Sequence, residues 1–305
     1  MGTTYHVKVV AGLPDGTDRL KAQIDEKLET LNHRFSNFIP ESDISRFNRS
    51  ADTETECALS PDFFYVMVQA KQIHKLSHGA WDGTVKPLVE LWGFGSDDAL
   101  KSLPSREKIG EILKRTGFDR IELKKGGLLR KTHPQVTLDL ASIAKGYGVD
   151  AVSELLRSNG YHNFIVEIGG EVYASGVRKD KNLWRVGVNT PHKDAAFDDI
   201  HLTVELKNRA MATSGDYRNF TEIGGVPFSH IIDPRTGYPV KNGVVSASVI
   251  SGNCTLADGL ATALMVMGPN AGIEMIDRIT DTECLIIVRN PDGSLTDHYS
   301  KGFPH

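Results

Sequence analysis

Cysteine is scarce: Cys57, Cys254 and Cys284 are the only 3 in 305 residues, far apart and without any C-x-x-C spacing. That excludes a zinc ribbon and a fold built on disulfides, leaving room for one bridge at most. Long apolar runs are lacking too. The longest are short stretches such as Phe63–Val68, against the ~18 residues that a membrane-crossing helix requires. There is no basic surplus either, since 35 Lys and Arg stand against 39 Asp and Glu for a net charge of −4. Nucleic acids and anionic membranes call for a positive surface field, so both partner classes fall away. Also missing are G-x-x-x-x-G-K-[ST], H-E-x-x-H, a G-x-G-x-x-G after a strand, and G-x-S-x-G. P-loop NTPases, zinc proteases, Rossmann dehydrogenases and α/β-hydrolases lose their usual signatures together.

What is present is ordinary globular material, 40 % hydrophobic and 24 % charged. The length suits two domains or one large two-lobed domain. Without a repeat or a Pro/Gly/Ser linker, residues 1–305 read as a single two-lobed domain whose internal boundary is not legible. Alternation predicts a strand at His6–Val10, and helical spacing an amphipathic helix over Leu20–Leu31. Residues 35–48 read as a loop with a helix cap at Ser42, and Ser60-Pro61-Asp62 opens a helix running towards His78. Gly79–Gly95 reads as a functional loop, Ser105–Thr116 as a short helix and Gln135–Leu140 as a buried strand. Helices are expected at Ser142–Asn159 and Leu256–Met267, with one more before a closing strand Cys284–Arg289. Between them come strands at Asn163–Ile168, Val172–Ala174, Trp184–Asn189, His201–Lys207, Ala210–Thr213, His230–Ile232 and Val244–Ile250. This order predicts an α+β fold with mixed or antiparallel sheets and packed helices, not a doubly wound one.

Three strings carry chemistry. In Val136-Thr137-Leu138-Asp139-Leu140-Ala141-Ser142-Ile143-Ala144-Lys145-Gly146 an apolar segment ends at an Asp and enters a helix lined with small residues. Unpartnered amides there, with Lys145, can seat a phosphate; equally, Asp139 can simply cap the helix. In Asn253-Cys254-Thr255-Leu256-Ala257-Asp258-Gly259-Leu260-Ala261-Thr262, Asp258 and Thr262 share one helix face. Carboxylate and hydroxyl are hard oxygen donors of the kind Mg²⁺ prefers. The competing reading is a capping box from Thr255 to Asp258. The third string, Ser229-His230-Ile231-Ile232-Asp233-Pro234-Arg235-Thr236-Gly237, places His230 beside a tight turn as a general base or a structural histidine. Glu167–Glu171 reads as a glycine-centred hairpin and Ala212-Thr213-Ser214-Gly215-Asp216-Tyr217 as a polar turn, either of which lines a ligand or simply connects strands. Phe38, Trp81 and Trp92 offer stacking surfaces for a flat ring, or cover core edges.

Taken in order, these strings resemble the ApbE-type flavin transferases, the FAD:protein FMN transferase family. The resemblance is carried by Phe38-x-Pro40-x-Ser42-x-Ile44-Ser45-x-Phe47-Asn48 and by Asp82-Gly83-Thr84-Val85-Lys86-Pro87-Leu88 through Gly95. It continues through Asp139 to Tyr147, Gly169-Gly170-Glu171, Ser214 to Tyr217, Ser229 to Gly237 and Ala257 to Leu264. It implies a two-lobed α+β fold holding FAD in a crevice, with Mg²⁺ beside its pyrophosphate. The enzyme so implied moves FMN from FAD to a Thr or Ser hydroxyl of a partner flavoprotein and releases AMP. The implied metal ligands are the Ser142 carbonyl and the side chains of Asp258 and Thr262. Met1, Phe38, Ala80, Trp81, Asp82, Asp139, Lys145, Glu171 and Ala261 fall on positions around FAD, and His230 falls on the base. Phe38 stands where a Tyr is common and Ala261 where some relatives carry Asp. The alternatives are an FAD pyrophosphatase, with water as acceptor, and a flavin-binding protein without turnover. Relatives of this type are usually exported to the periplasm and often lipid-anchored. With Met1 on a motif position, an export segment is expected to have been removed.

Overall fold

The computed structural model describes residues 2–11, 16–94, 103–192, 199–216, 220–223 and 226–304, the last two segments with backbone alone as far as residue 227. In chain order come β1 (Tyr5–Val9), α1 (Asp18–Phe35), α2 (Asp43–Arg49), β2 (Cys57–Ala58), α3 (Pro61–Leu76) and α4 (Lys86–Leu91). Next are α5 (Arg106–Leu113), β3 (Ile121–Lys124), β4 (Leu128–Lys131), α6 (Ala141–Ser158), β5 (Phe164–Ile168), β6 (Glu171–Ser175), β7 (Trp184–Asn189) and β8 (Ile200–Leu206). The chain continues with β9 (Arg209–Gly215), β10 (Phe220–Ile223), β11 (Val226–Ser229), β12 (Ile232–Asp233), β13 (Tyr238–Pro239) and β14 (Val244–Ser251). It ends with α7 (Cys254–Met267), α8 (Pro269–Ile276), β15 (Glu283–Arg289) and β16 (Leu295–Tyr299).

Helix starts follow local chemistry. Ser42, Ser60 and Ser105 each accept a hydrogen bond from the amide three residues on, and Pro61 occupies the first turn of α3. Seven strands form one sheet in the order β1-β5-β6-β9-β14-β15-β16, every pairing antiparallel. The α+β expectation holds, with wholly antiparallel pairing. Period-2 alternation then sorts the two faces. Ala247, Val249, Cys284 and Ile286 turn towards α3, α6 and α7, whereas Ile250, Leu285 and Ile287 meet Trp184, Val188 and Val204 of the β7–β8 hairpin. Each fully buried Leu or Ile contributes about 1.5–3 kcal/mol by leaving water. Helix α7 lies in the middle of this packing, and small residues let it do so. A Cβ added at Gly259 would overlap Ile73 of α3 and come within 2.8 Å of Ile143 of α6.

Several expectations are corrected. His230–Ile232 is not a strand, since only Ile232 enters one, the two-residue β12, and residues 212–215 of the polar turn belong to β9. The loop 79–95 contains α4, and residues 35–48 contain most of α2. Gln135–Leu140 is extended, with Val136, Leu138 and Leu140 buried, yet it pairs with no strand. Cys284–Arg289 does not close the sheet, because β16 lies outside it. The three cysteines are free, Cys57 exposed and Cys254 and Cys284 buried. Among the described residues no helix is long and apolar enough to cross a membrane.

Candidate functional site

Helix α7 sets out from Asn253, whose side chain accepts from the Leu256 amide at 2.9 Å. The two amides before that belong to Asp150 of α6, which accepts from Cys254 at 2.7 Å, from Thr255 at 2.8 Å and from the Thr255 hydroxyl at 2.5 Å. The capping duties are therefore taken, Thr255 faces Asp150, and the Thr255–Asp258 box does not form. Asp258, one turn on and 3 % exposed, is left for other work. Its Oδ2 accepts from the Gly146 amide at 2.9 Å. In a regular helix that amide serves the Ser142 carbonyl four residues back. Asp258 thus draws on the same donor. The approach requires glycine, since a Cβ at 146 would overlap the Cys254 carbonyl and lie 2.8 Å from the Cβ of Asp258.

Lys145, beside Gly146, brings its ammonium 2.5 Å from Glu171 and 3.9 Å from Asp258. Glu171 is placed there by the β5–β6 turn, where Gly169 and Gly170 both take positive φ. One oxygen of Glu171 is buried without a hydrogen-bond partner. Two carboxylates thus crowd one partly exposed ammonium. Burial first and Asp258 second push Glu171 up to about 8, and burial pushes Asp258 up to about 6. Burial alone would lower the Lys145 ammonium, but the Asp258 and Glu171 carboxylates outweigh it and hold it up.

A testable consequence concerns the metal-free protein. A carboxyl raised in the folded state binds a proton there that the unfolded chain has released. Its stabilising contribution is complete below the ordinary carboxylate range and is lost as pH climbs through about 8. Thermal melts of the metal-free protein are expected to fall by several degrees between pH 5 and 8, and those of Glu171→Gln to fall less, keeping only the part due to Asp258, which is complete by about pH 6. Parallel curves for the two proteins would show that Glu171 is not the group responsible.

Of the remaining positions that the resemblance sets around FAD, residues 80–83 lie against the start of α6. Trp81 Nε1 donates to Ser142 Oγ at 2.9 Å, and the Asp139 amide donates to the Gly83 carbonyl at 2.7 Å. These bonds tie residues 80–83 to the start of α6. Asp139 also accepts from the Ala141 amide at 3.0 Å, a side-chain turn one residue before Leu140, the N-cap of α6, which has no side-chain cap. The Asp82 carboxylate is spent inside the fold, accepting from Thr84 at 2.8 and 2.6 Å and from the Phe118 amide at 2.8 Å. Ala80 and Trp81 are about 1 % exposed, and Ala261 is sealed in the core. Trp92 is buried as well, donating to the Gly237 carbonyl at 2.8 Å. Of the three candidate stacking rings only Phe38 faces solvent, at 94 % exposure. Met1 lies outside the described residues. No group of three or more His, Cys, Asp or Glu among the described residues forms a metal cage. The donor set suggested by the sequence is of another kind: one carboxylate, one hydroxyl and one carbonyl.

Thr262, one turn beyond Asp258, meets Ser214 of β9 with the two hydroxyls 3.1 Å apart. Two residues further along that strand, Asp216 interacts electrostatically with His230, while Ser229 hydrogen-bonds its carboxylate. Burial raises Asp216, and the Ser229 bond and the charges of His230 and Arg289 oppose the rise. The Phe94 ring meets the His230 imidazole edge-on, with centroids 6.3 Å apart. β9 thus links the Asp258 cluster to the histidine. Asp150 carries no signal in the sequence; Gly146 is legible there only as a small residue at the start of α6, and Asp216 only as part of a polar turn.

Comparison with known proteins gives a consistent picture. The model of the ApbE family matches residues 1–286. Over 295 residues the chain is 40 % identical to an FAD:protein FMN transferase of Vibrio cholerae, covering 96 % of this chain and 86 % of that protein. A protein of the same name from Haemophilus influenzae is 36 % identical over 304 residues, covering 97 % and 86 %. The solved structure of the flavin transferase ApbE from Vibrio cholerae superposes with a TM-score of 0.88 at 38 % identity, covering 99 % of this chain and 95 % of that one.

Proposed function

This chain belongs to the ApbE family, and we propose that it acts as its relatives are named to act, as an FAD:protein FMN transferase. The observation that carries the chemistry is the buried Asp258, relieved of capping and drawing on the amide that a regular helix gives to the Ser142 carbonyl. Two carboxylates crowded around one ammonium, one of their oxygens without a hydrogen-bond partner, suit a divalent cation. The residues present therefore fit Mg²⁺, held by the Asp258 carboxylate, the Thr262 hydroxyl and the Ser142 carbonyl. The chemistry that bound Mg²⁺ supplies there is charge neutralisation on the pyrophosphate and on departing AMP.

The chain's own residues do the rest. The amides opening α6 and the Lys145 ammonium hold the pyrophosphate oxygens. Phe38, exposed and aromatic, offers a face for a flat ring. A Thr or Ser hydroxyl of the acceptor flavoprotein bonds to the FMN phosphorus as His230 takes its proton. The bond from that phosphorus to the AMP phosphate oxygen breaks, and AMP leaves. Asp216 stabilises the imidazolium that forms. Resemblance to exported, lipid-anchored relatives supports a place on the periplasmic face of a bacterial inner membrane, which fractionation of the source cells tests.

The deciding experiment incubates the protein with FAD and Mg²⁺, with and without an acceptor domain, and follows AMP, free FMN and flavinylated protein. A positioned hydroxyl outcompetes unpositioned water by a large effective concentration. Slow FAD loss alone, a sharp rise in AMP with acceptor and one FMN retained per acceptor are expected. Rapid FMN and AMP release without acceptor, unchanged on its addition, would make the protein a pyrophosphatase.

A further inference from the structure

Asn48, at the end of α2, makes three hydrogen bonds with one side-chain amide. Its Nδ2 donates to the Leu138 carbonyl at 2.8 Å and to Asn37 Oδ1 at 3.0 Å, and its Oδ1 accepts from the Leu138 amide at 2.7 Å. The pair of bonds to Leu138 reproduces what a neighbouring strand would supply, so residues 136–140 stay extended without a sheet partner. Leu138 directly precedes Asp139, and Asn37 directly precedes Phe38. A second device fastens the same two segments. The buried Lys131 ammonium donates to the Ser50 carbonyl just after α2 at 2.8 Å and to the Val136 carbonyl at 3.0 Å, over the Phe47 ring. Asn37, Phe38, Asn48 and Thr137 line one cavity of about 410 Å³.

We propose that Asn48 is a positioning residue that couples the Phe38 loop to the Asp139–Ser142 corner, so that the two walls of the flavin site are set together. This rests on the reading of Phe38 and Asp139 as flavin-facing residues given above. Neither loop has a strand ladder of its own, and nothing else described joins residue 37 to residue 138 directly. Asn48 touches no reacting atom; it acts through the positions of its neighbours.

The test uses the whole protein with FAD, measuring flavin affinity by fluorescence quenching together with KM, kcat and melting temperature. Asn48→Asp keeps the shape but removes both donated bonds, so it loads the fold as well as the coupling. Asn37→Ala is therefore the sharper probe, since it leaves both bonds to Leu138 intact. Loss of one hydrogen bond predicts FAD affinity about three- to tenfold weaker, with kcat unchanged and the melting temperature lowered by about 2–4 °C at most. Combined with Phe38→Ala, it should weaken affinity no further than Phe38→Ala does alone, because both act through the same ring. Wild-type affinity in Asn37→Ala, or losses that add in the double variant, would overturn the coupling. A wild-type protein that binds no FAD would instead overturn the function proposed above.

Discussion

Asp258→Ala is expected to slow FAD turnover by roughly two to four orders of magnitude, corresponding to about 3–5 kcal/mol of lost transition-state stabilisation. The fold should survive the change. At neutral pH and above, wild-type protein carries an ionised carboxylate in a site that burial pushes up to about 6. Removing it relieves that burden and returns the Gly146 amide to the Ser142 carbonyl. Metal-free Asp258→Ala at pH 8 should therefore melt no lower than metal-free wild type, while Mg²⁺ no longer raises its melting temperature. Full activity with a lower melting temperature would make Asp258 a structural residue and sink the metal assignment.

For His230→Ala the expected loss is ~10²–10⁴-fold in the rate of transfer to the acceptor, the usual span for a missing general base. FAD affinity should remain within a few-fold of wild type, because the imidazole faces Asp216 and Phe94, at a different point of the site from the Lys145–Glu171 cluster. Single-turnover kinetics separates the two quantities. An affinity loss as large as the rate loss would recast His230 as a residue that packs the flavin.

Much of the scaffold was legible because its signal is local. The alternation at β1 and β5 and the serine caps before α2 and α3 are decided within a few residues. The misreadings share a different cause. Residues 136–140 alternate as a strand does, and they are buried as one; their partner is a side-chain amide 90 residues away. Whether Thr255 and Asp258 form a cap depends on Asp150, more than 100 residues upstream. Phe38, Trp81 and Trp92 look alike as loop aromatics, and only the packing of Ser142 and Gly237 against the two indoles tells them apart. In the site itself, residue types and helix register pointed to Asp258, Thr262 and Lys145. The charge balance around Glu171 exists only once β6, α6 and α7 are brought together.

The distribution of thiols bears on where such a chain can mature. Cys254 is sealed between α6 and the sheet, Cys284 lies inside β15, and burial pushes both well away from the reactive thiolate form. Cys57 alone meets water, on the short strand β2. No disulfide joins the three cysteines, so reaching this fold calls for no oxidant. A maleimide dye would mark the native chain at Cys57 and spare the two buried thiols.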